Sequence, residues 1–176
     1  LSQAGAAQVF NELSSAEIYG SLAAIEQNSA LTESFETAAA IGSNGVWINP
    51  VGRFARYGGT NSGASKIRDN SYGGAIGLNL GYADNGTFGI GFAYAEHDIA
   101  ARGTPETAKA KTYSLGVNWK HVFGPIQAGA QFVYGFSNFD VTRDLTVLDR
   151  TITASFKGRQ WDGNVELATL KDAVIV

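Results

Sequence analysis

The stretch Tyr72-Gly73-Gly74-Ala75-Ile76-Gly77-Leu78-Asn79-Leu80-Gly81-Tyr82-Ala83 alternates between two kinds of residue. One set is large and apolar, broken only by Gly74, and the other set is Gly, Ala or Asn. Because successive side chains of a strand point to opposite faces, this segment has one apolar face with aromatic ends and one small, polar face. That combination is typical of a strand with lipid on one side and a lumen on the other.

The same alternation recurs along the chain and predicts an all-β, antiparallel, up-and-down transmembrane barrel wall of about six strands. Two short turns are expected, at Asp84-Asn85-Gly86 and at Phe123-Gly124-Pro125. They alternate along the chain with longer polar connections, as in outer-membrane barrels. The expected strands are about 46–57, 70–83, 86–97, 110–123, 126–139 and 160–170.

Strand parity assigns each side chain of these segments to one face of the wall. The residues expected to face lipid are Tyr72, Ile76, Leu78, Leu80, Tyr82, Phe88, Ile90, Phe92, Tyr94, Tyr113, Leu115, Val117, Trp119, Phe132 and Tyr134. The polar residues expected to face the lumen are Asn49, Arg53, Asn79, Asn118, Lys120, Gln127 and Gln131.

The composition agrees with a Gly-rich β structure of one domain. The chain has 176 residues, with 22 Gly, 3 Pro and 11% aromatic residues. A net charge of -3 without a dense basic cluster gives no reason to expect nucleic acid as a partner. The absence of Cys excludes disulfides and thiolate metal sites, and it suits a protein that crosses an oxidising compartment.

Residues 1–44 differ from residues 45–176 because their apolar side chains have roughly helical spacing. The pattern predicts a short first helix, a longer one from about Ser15, and a stop near Gly42 to Gly45. This linker region suits a helix inside a polar channel and an ordinary packed helix equally well. Inside a channel, glutamates of the helix such as Glu33 and Glu36 are expected to meet Arg53 or Lys120.

The sequence offers no convincing catalytic, metal or cofactor site, so we expect a protein that is not an enzyme. His97 and His121 lack partners at metal-ligand spacing, and no Gly-x-Ser-x-Gly segment is present. The repeated glycines from Gly73 to Gly81 lie inside a strand, where small lumen-facing positions explain them better than a phosphate loop. Only the family resemblance described next makes Asn28 a candidate for self-cleavage, and its neighbours do not support one.

Several motifs, in order, resemble the C-terminal translocator domain of bacterial autotransporters, the β-domain of type V secretion. The match covers most of the chain and is moderately specific as an ordered set. The segments that carry it are Leu13-Ser14-Ser15-Ala16-Glu17-Ile18-Tyr19, Gly45-Val46-Trp47 with Gly52, Tyr72 to Leu78, Phe88 to Tyr94, Thr142-Arg143, and Ser155-Phe156-Lys157-Gly158-Arg159.

The resemblance implies an outer-membrane barrel of twelve strands with the preceding helix threaded through its lumen. Its implied partners are outer-membrane lipid, the protein's own N-terminal passenger and the outer-membrane assembly machinery. About six strands are recognisable in this sequence. A final strand ending in an aromatic residue, which the resemblance also implies, is not recognisable. We therefore expect the sequence to contain the linker helix and the first half of a barrel. Such an open half-wall leaves backbone groups unpaired at both edges.

Two other functions remain open at this point. A porin-like or adhesive outer-membrane barrel without a passenger has the same strand pattern, with the helix as a plug. A soluble β-sandwich has an apolar face too, although its opposite face usually carries charge and Thr rather than Gly and Ala. The first of these is the alternative that the sequence separates least well from an autotransporter.

Overall fold

The computed structural model describes residues 30–41, 44–57, 66–82, 85–102, 106–145 and 149–169. A single α-helix and a long-stranded sheet make up the described part of the chain. The elements are α1 (Ala30–Ile41), β1 (Gly45–Tyr57), β2 (Lys66–Tyr82), β3 (Gly86–Arg102), β4 (Glu106–Phe123), β5 (Ile126–Leu145) and β6 (Arg150–Thr169).

The strands form a 6-stranded sheet in the order β1-β2-β3-β4-β5-β6. Each strand is antiparallel to the next along the chain, from β1 with β2 to β5 with β6. Strands β1 and β6 are the two edges, so the sheet is open. This is the antiparallel up-and-down wall, with about half the strands of the family's barrel, that the alternation and the family resemblance predicted.

Strands β2 to β6 differ from the predicted bounds, mainly at the end away from the short turns. The predicted segments 70–83, 86–97, 110–123, 126–139 and 160–170 are observed as 66–82, 86–102, 106–123, 126–145 and 150–169. The prediction ended each strand where the face with large apolar side chains became polar. The hydrogen-bonded ladder continues past that point, since cross-strand pairing does not require apolar side chains. The polar connections are correspondingly shorter, at residues 58–65, 103–105 and 146–149.

Helix α1 packs on one face of the sheet, which we call the helix face, and the opposite face is called the open face. The helix has 12 residues. No helix in the described residues has the length and apolar character needed to span a bilayer. The helical segments expected before residue 30 lie outside the described residues.

The sheet curves around α1, because side chains of this one helix reach both edge strands. Phe35 contacts Trp47 on β1, and Thr32 Oγ1 donates a hydrogen bond to Asp162 on β6. In a flat sheet these strands would be five spacings apart, about 24 Å. A helix with its side chains is only about 10–12 Å wide. Contact with both edges therefore requires the helix face to be concave.

The chain passes from α1 into β1 close to the short turns. Gly45 begins β1 with a φ of 126°, a backbone conformation that residues with a Cβ rarely adopt. The Gly81 backbone N–H donates to Asn44 Oδ1 over 2.5 Å, which attaches this connection to β2. Helix α1 ends at Ile41 and β1 begins at Gly45, where the sequence predicted the helix stop.

Candidate functional site

A row of glycines forms the seat on which α1 rests. Strand register aligns Trp47, Gly77, Gly91, Gly116 and Val133 side by side from β1 to β5. Because Gly91 and Gly116 have no side chain, the helix side chains Leu31 and Phe35 lie close to the backbone of β3 and β4. The Trp47 indole lies over Gly77 and fills the same level from the edge strand.

Two apolar side chains of α1 fill this seat. Leu31 is 0% exposed and Phe35 is 1% exposed. A Cβ atom on Gly91 would lie 2.9 Å from both Leu31 Cδ1 and Phe35 Cε1, and one on Gly116 would lie 2.8 Å from Phe35 Cε2. Contacts under 3.0 Å require something to move, so the glycines are needed for this depth of packing.

Hydrogen bonds attach the helix to the strands on both sides of the seat. Asn49 Nδ2 of β1 donates to Ser34 Oγ over 3.2 Å, and Ser34 is fully buried. Thr32 Oγ1 donates to Asp162 Oδ2 of β6 over 2.6 Å. Each such bond contributes about 1 kcal/mol net, and more when the acceptor is charged. The helix is therefore held in one orientation by polar contacts as well as by apolar burial.

A polar cavity of about 460 Å³ lies between the middle of α1 and the strand ends near the short turn after β4. Glu36, Lys120 and Glu166 are among its lining residues, so it contains charges of both signs. Asn118 Oδ1 and Gln131 Nε2 are buried at its edge and have no hydrogen-bond partner among the described residues. The cavity is roomy and polar enough to hold water that would satisfy these atoms.

The helix face has a different character at the far end of the sheet, beyond α1. An apolar cluster forms there from Ile99, Ala108, Ala110, Phe139 and Val141.

An ion pair and a contact between a His and a carboxylate flank this cluster on the same face. Arg143 Nε lies 3.0 Å from Glu106 Oε1, and the Glu106 side chain is only 4% exposed. His97 Nδ1 lies 3.6 Å from Asp69 Oδ1. Within the described residues, no group of three or more His, Asp or Glu side chains could hold a metal ion.

The open face carries an aliphatic band bordered by aromatic residues at both ends. Toward the polar connections, Tyr94, Tyr113 and Phe136 form a row with ring centroids 5.0 and 5.1 Å apart, which we call the outer aromatic row. Toward the short turns, Trp119 Nε1 donates to the Tyr82 hydroxyl, and the Tyr82 ring stacks on His121. Between the two aromatic groups, β2 to β4 carry strongly exposed aliphatic side chains and Phe, such as Leu115 at 56%. On β5 and β6, Tyr134 and Trp161 lie at the level of Leu115.

The height of this band suits a membrane. On β4 the band together with its aromatic borders extends from Tyr113 to Phe123, whose ring packs against His121. These ten strand positions span about 34 Å at about 3.4 Å per residue. Strands of outer-membrane barrels tilt by about 40°, which reduces this length to about 26 Å across the bilayer. An apolar band of about 25 Å is typical of such barrels.

The structure separates the predicted site residues into the two expected groups. The seven predicted lumen residues all lie on the helix face, where Asn49 contacts α1 and Asn118, Lys120 and Gln131 line the cavity. The fifteen predicted lipid residues all lie on the open face by strand register. Whether these faces meet a lumen and lipid remains a prediction. Glu33 is exposed, and Glu36 shares the cavity with Lys120.

The sequence reasoning missed the residues that seat the helix. Trp47 was recognised as part of the motif at the start of the first strand, but it was not assigned to either face of the sheet. Strand parity with Val46 places its side chain on the helix face. Asp162 lies on β6, where the alternation is weak and gave little signal. Asn28, the conceivable cleavage site, lies outside the described residues.

A curved antiparallel sheet with a membrane-height apolar band outside and a seated helix inside defines the class, a transmembrane β-barrel wall that holds a helix. A comparison with protein families matches residues 46–170 to the family described as Autotransporter beta-domain. The chain belongs to the autotransporter β-domain family, a family of outer-membrane translocator domains, as the sequence resemblance predicted. A search of curated proteins and a search of solved structures each returned no match.

Proposed function

We propose that this chain anchors in the bacterial outer membrane and exports an N-terminal passenger, with α1 remaining in the pore as the last exported segment. The observation that carries the proposal is the glycine seat, where Leu31 and Phe35 are buried against the backbone of the barrel wall. An extended chain or a loosely held plug would not require Gly91 and Gly116 side by side beneath these two side chains.

The direction of the chain supports export rather than simple plugging. Glu36 lines the cavity near the short turns, and Asn44 is bound to β2 at that same end. The chain therefore runs along the helix face toward the short turns and then reverses into β1. The N-terminal end of α1 accordingly points toward the opposite end of the sheet, where the strands extend furthest past the outer aromatic row.

The proposal assigns partners to both faces and to both edges of the sheet. The seven polar residues on the helix face line the lumen, and the fifteen apolar residues on the open face meet lipid. Strands β1 and β6 have unpaired backbone groups at the sheet edges, which are costly in lipid and must be closed by further strands. The outer-membrane assembly machinery is the partner expected to guide that closure, and the passenger is the cargo.

Export can be tested with an epitope tag placed before α1 in the full-length gene product. On intact cells, added protease should remove the tag. The chain has no native Cys, so a Ser34→Cys/Asn49→Cys pair reports seating of α1 against β1 without interference. We expect the cross-link in molecules whose tag has reached the surface.

Glu33→Cys/Asn49→Cys is the matched control, because Glu33 is exposed on α1. This control pair should not cross-link. Efficient cross-linking of Ser34→Cys/Asn49→Cys while the tag stays protected inside the cell would overturn the export proposal. That result would favour the alternative, a porin-like or adhesive barrel in which α1 is a plug.

A further inference from the structure

A groove of about 590 Å³ opens on β5 and β6 beside the outer aromatic row. Tyr134 and Phe136 supply its aromatic part, and Asn138, Lys157 and Arg159 supply its polar part. Register places Lys157 opposite Asn138 and Arg159 opposite Phe136. These five side chains belong to the open face, so the groove is directed away from α1.

The groove has a positive charge that the described residues do not neutralise. Neither Lys157 nor Arg159 has a carboxylate at ion-pair distance among the described residues, where the ion pairs lie on the helix face. Lys111 of β4 pairs with Asn138 beside the groove, and on its other side it pairs with Glu96 of β3.

The nearest carboxylates on the open face have other partners. Asp140 Oδ1 accepts a hydrogen bond from Ser155. Glu96 on β3 accepts hydrogen bonds from the Tyr72 and Tyr94 hydroxyls. Glu96 also lies opposite Lys111 and offsets the charge of that side chain, so Lys157 and Arg159 are the groove cations that can meet an external anion.

Cations on the open face occur only at this end of the described strands. All described Lys and Arg side chains of the open face lie at or beyond the outer aromatic row. They are Arg56, Arg68, Lys109, Lys111, Lys157 and Arg159. At the opposite end, Lys120 projects to the helix face instead. In a membrane, the groove would thus lie at the level of the headgroups of one leaflet.

We propose that this groove binds the phosphorylated sugar headgroup of an outer-leaflet glycolipid. A guanidinium offers a phosphate two parallel N–H donors, and a Lys beside it supplies a point charge. Lys157 and Arg159 are two positions apart on one strand face, about 7 Å, so both reach one phosphate. Lys111 reaches the neighbouring part of the headgroup, Asn138 hydrogen-bonds the sugar, and Tyr134 and Phe136 pack against the sugar and acyl chains.

This inference rests on the membrane placement in the proposed function, so insertion and lipid binding are measured separately. The full-length gene product is reconstituted into vesicles containing phosphorylated lipid A, dephosphorylated lipid A or phosphatidylglycerol. Heat-modifiable electrophoretic mobility reports insertion, and native mass spectrometry reports retained lipid. Failure of the unmodified protein to insert would contradict the proposed function and not the groove assignment.

The variant that tests the groove is Lys157→Gln/Arg159→Gln, and Arg56→Gln/Arg68→Gln is its charge-matched control outside the groove. We expect the first to retain at least tenfold less phosphorylated lipid A, and the control to retain the normal amount. Lys111→Gln alone should give a smaller loss, which keeps the test valid if the double variant inserts poorly. Equal retention by both double variants would overturn the proposal, as would equal retention of phosphatidylglycerol or of dephosphorylated lipid A by the unmodified protein.

Discussion

The Phe35 ring of α1 meets the Trp47 indole of β1 edge to face, with ring centroids 5.8 Å apart and an interplanar angle of 74°. This geometry is one of the preferred arrangements of aromatic pairs and adds about 0.5–1.5 kcal/mol to the burial of the rings. It also joins the helix to the strand that follows it in sequence. The contact therefore fixes where the linker lies before the chain enters the barrel wall.

The glycine seat predicts that a small increase in side-chain size displaces α1. Gly116→Val would place methyl groups where Phe35 and Val133 already lie, since even a Cβ would be 2.8 Å from each. We expect α1 docking to weaken by about 1–3 kcal/mol, the usual cost of overpacking. Protease protection of residues 30–41 measures this loss.

Gly52→Val is the control for that experiment, because a Cβ on Gly52 has no atom within 4 Å. It should leave the protection of α1 unchanged. Equal loss of protection in both variants would show that strand glycines act through backbone conformation rather than through the seat.

The apolar band predicts that a charge at its centre blocks assembly. Leu78→Arg or Phe92→Arg would expose a cation to the bilayer core, which costs about 2–4 kcal/mol at the midplane of a barrel. We expect the inserted fraction of the full-length gene product to fall severalfold or more, measured by heat-modifiable electrophoretic mobility. Thr107 lies on the same face beyond the outer aromatic row. The control variant Thr107→Arg should therefore insert normally. An equal fall for all three variants would contradict the assignment of the open face to lipid.

The buried ion pair between Arg143 and Glu106 predicts a strong asymmetry between single and double variants. Arg143→Met leaves the Glu106 carboxylate, 4% exposed, without its guanidinium. Breaking such a pair costs about 3–5 kcal/mol of unfolding free energy, whereas replacing both charges is often neutral. Arg143→Met/Glu106→Gln should therefore recover most of the loss, as measured by denaturant unfolding. Arg150→Met, an exposed site, serves as the control, and a double variant as unstable as Arg143→Met would refute this account.

Local periodicity was sufficient to predict the faces of the strands but not their ends. Tyr94 and Phe92 could be assigned to the open face because parity along a strand depends only on the extended backbone. Residues such as Ile99 and Ala108 were assigned to loops, since the charged residues around them interrupt the apolar pattern. They are paired in β3 and β4 and lie in a buried cluster. Whether these residues pair depends on the neighbouring strand, and the alternation within a single strand contains no information about that neighbour.

The helix seat could be predicted only in part for a related reason. Gly77 was correctly interpreted as a small position inside a strand, and Gly91 and Gly116 lie beside it on the next two strands. That they are neighbours in one row depends on the register of three hairpins, and that Phe35 fills this row depends on the docking of α1. Asp162 became a helix contact only because the curved sheet brings β6 to the same helix as β1.

The sequence by itself determined that the chain forms antiparallel strands with one apolar and one small, polar face, and that residues 46–170 belong to the autotransporter β-domain family. Both results follow from short-range order, since side-chain alternation and motif order are properties of the linear chain. The tertiary structure alone decided which residues hold the helix and which cations meet at the groove. Those arrangements join residues that are distant in sequence, and only strand register and sheet curvature bring them together.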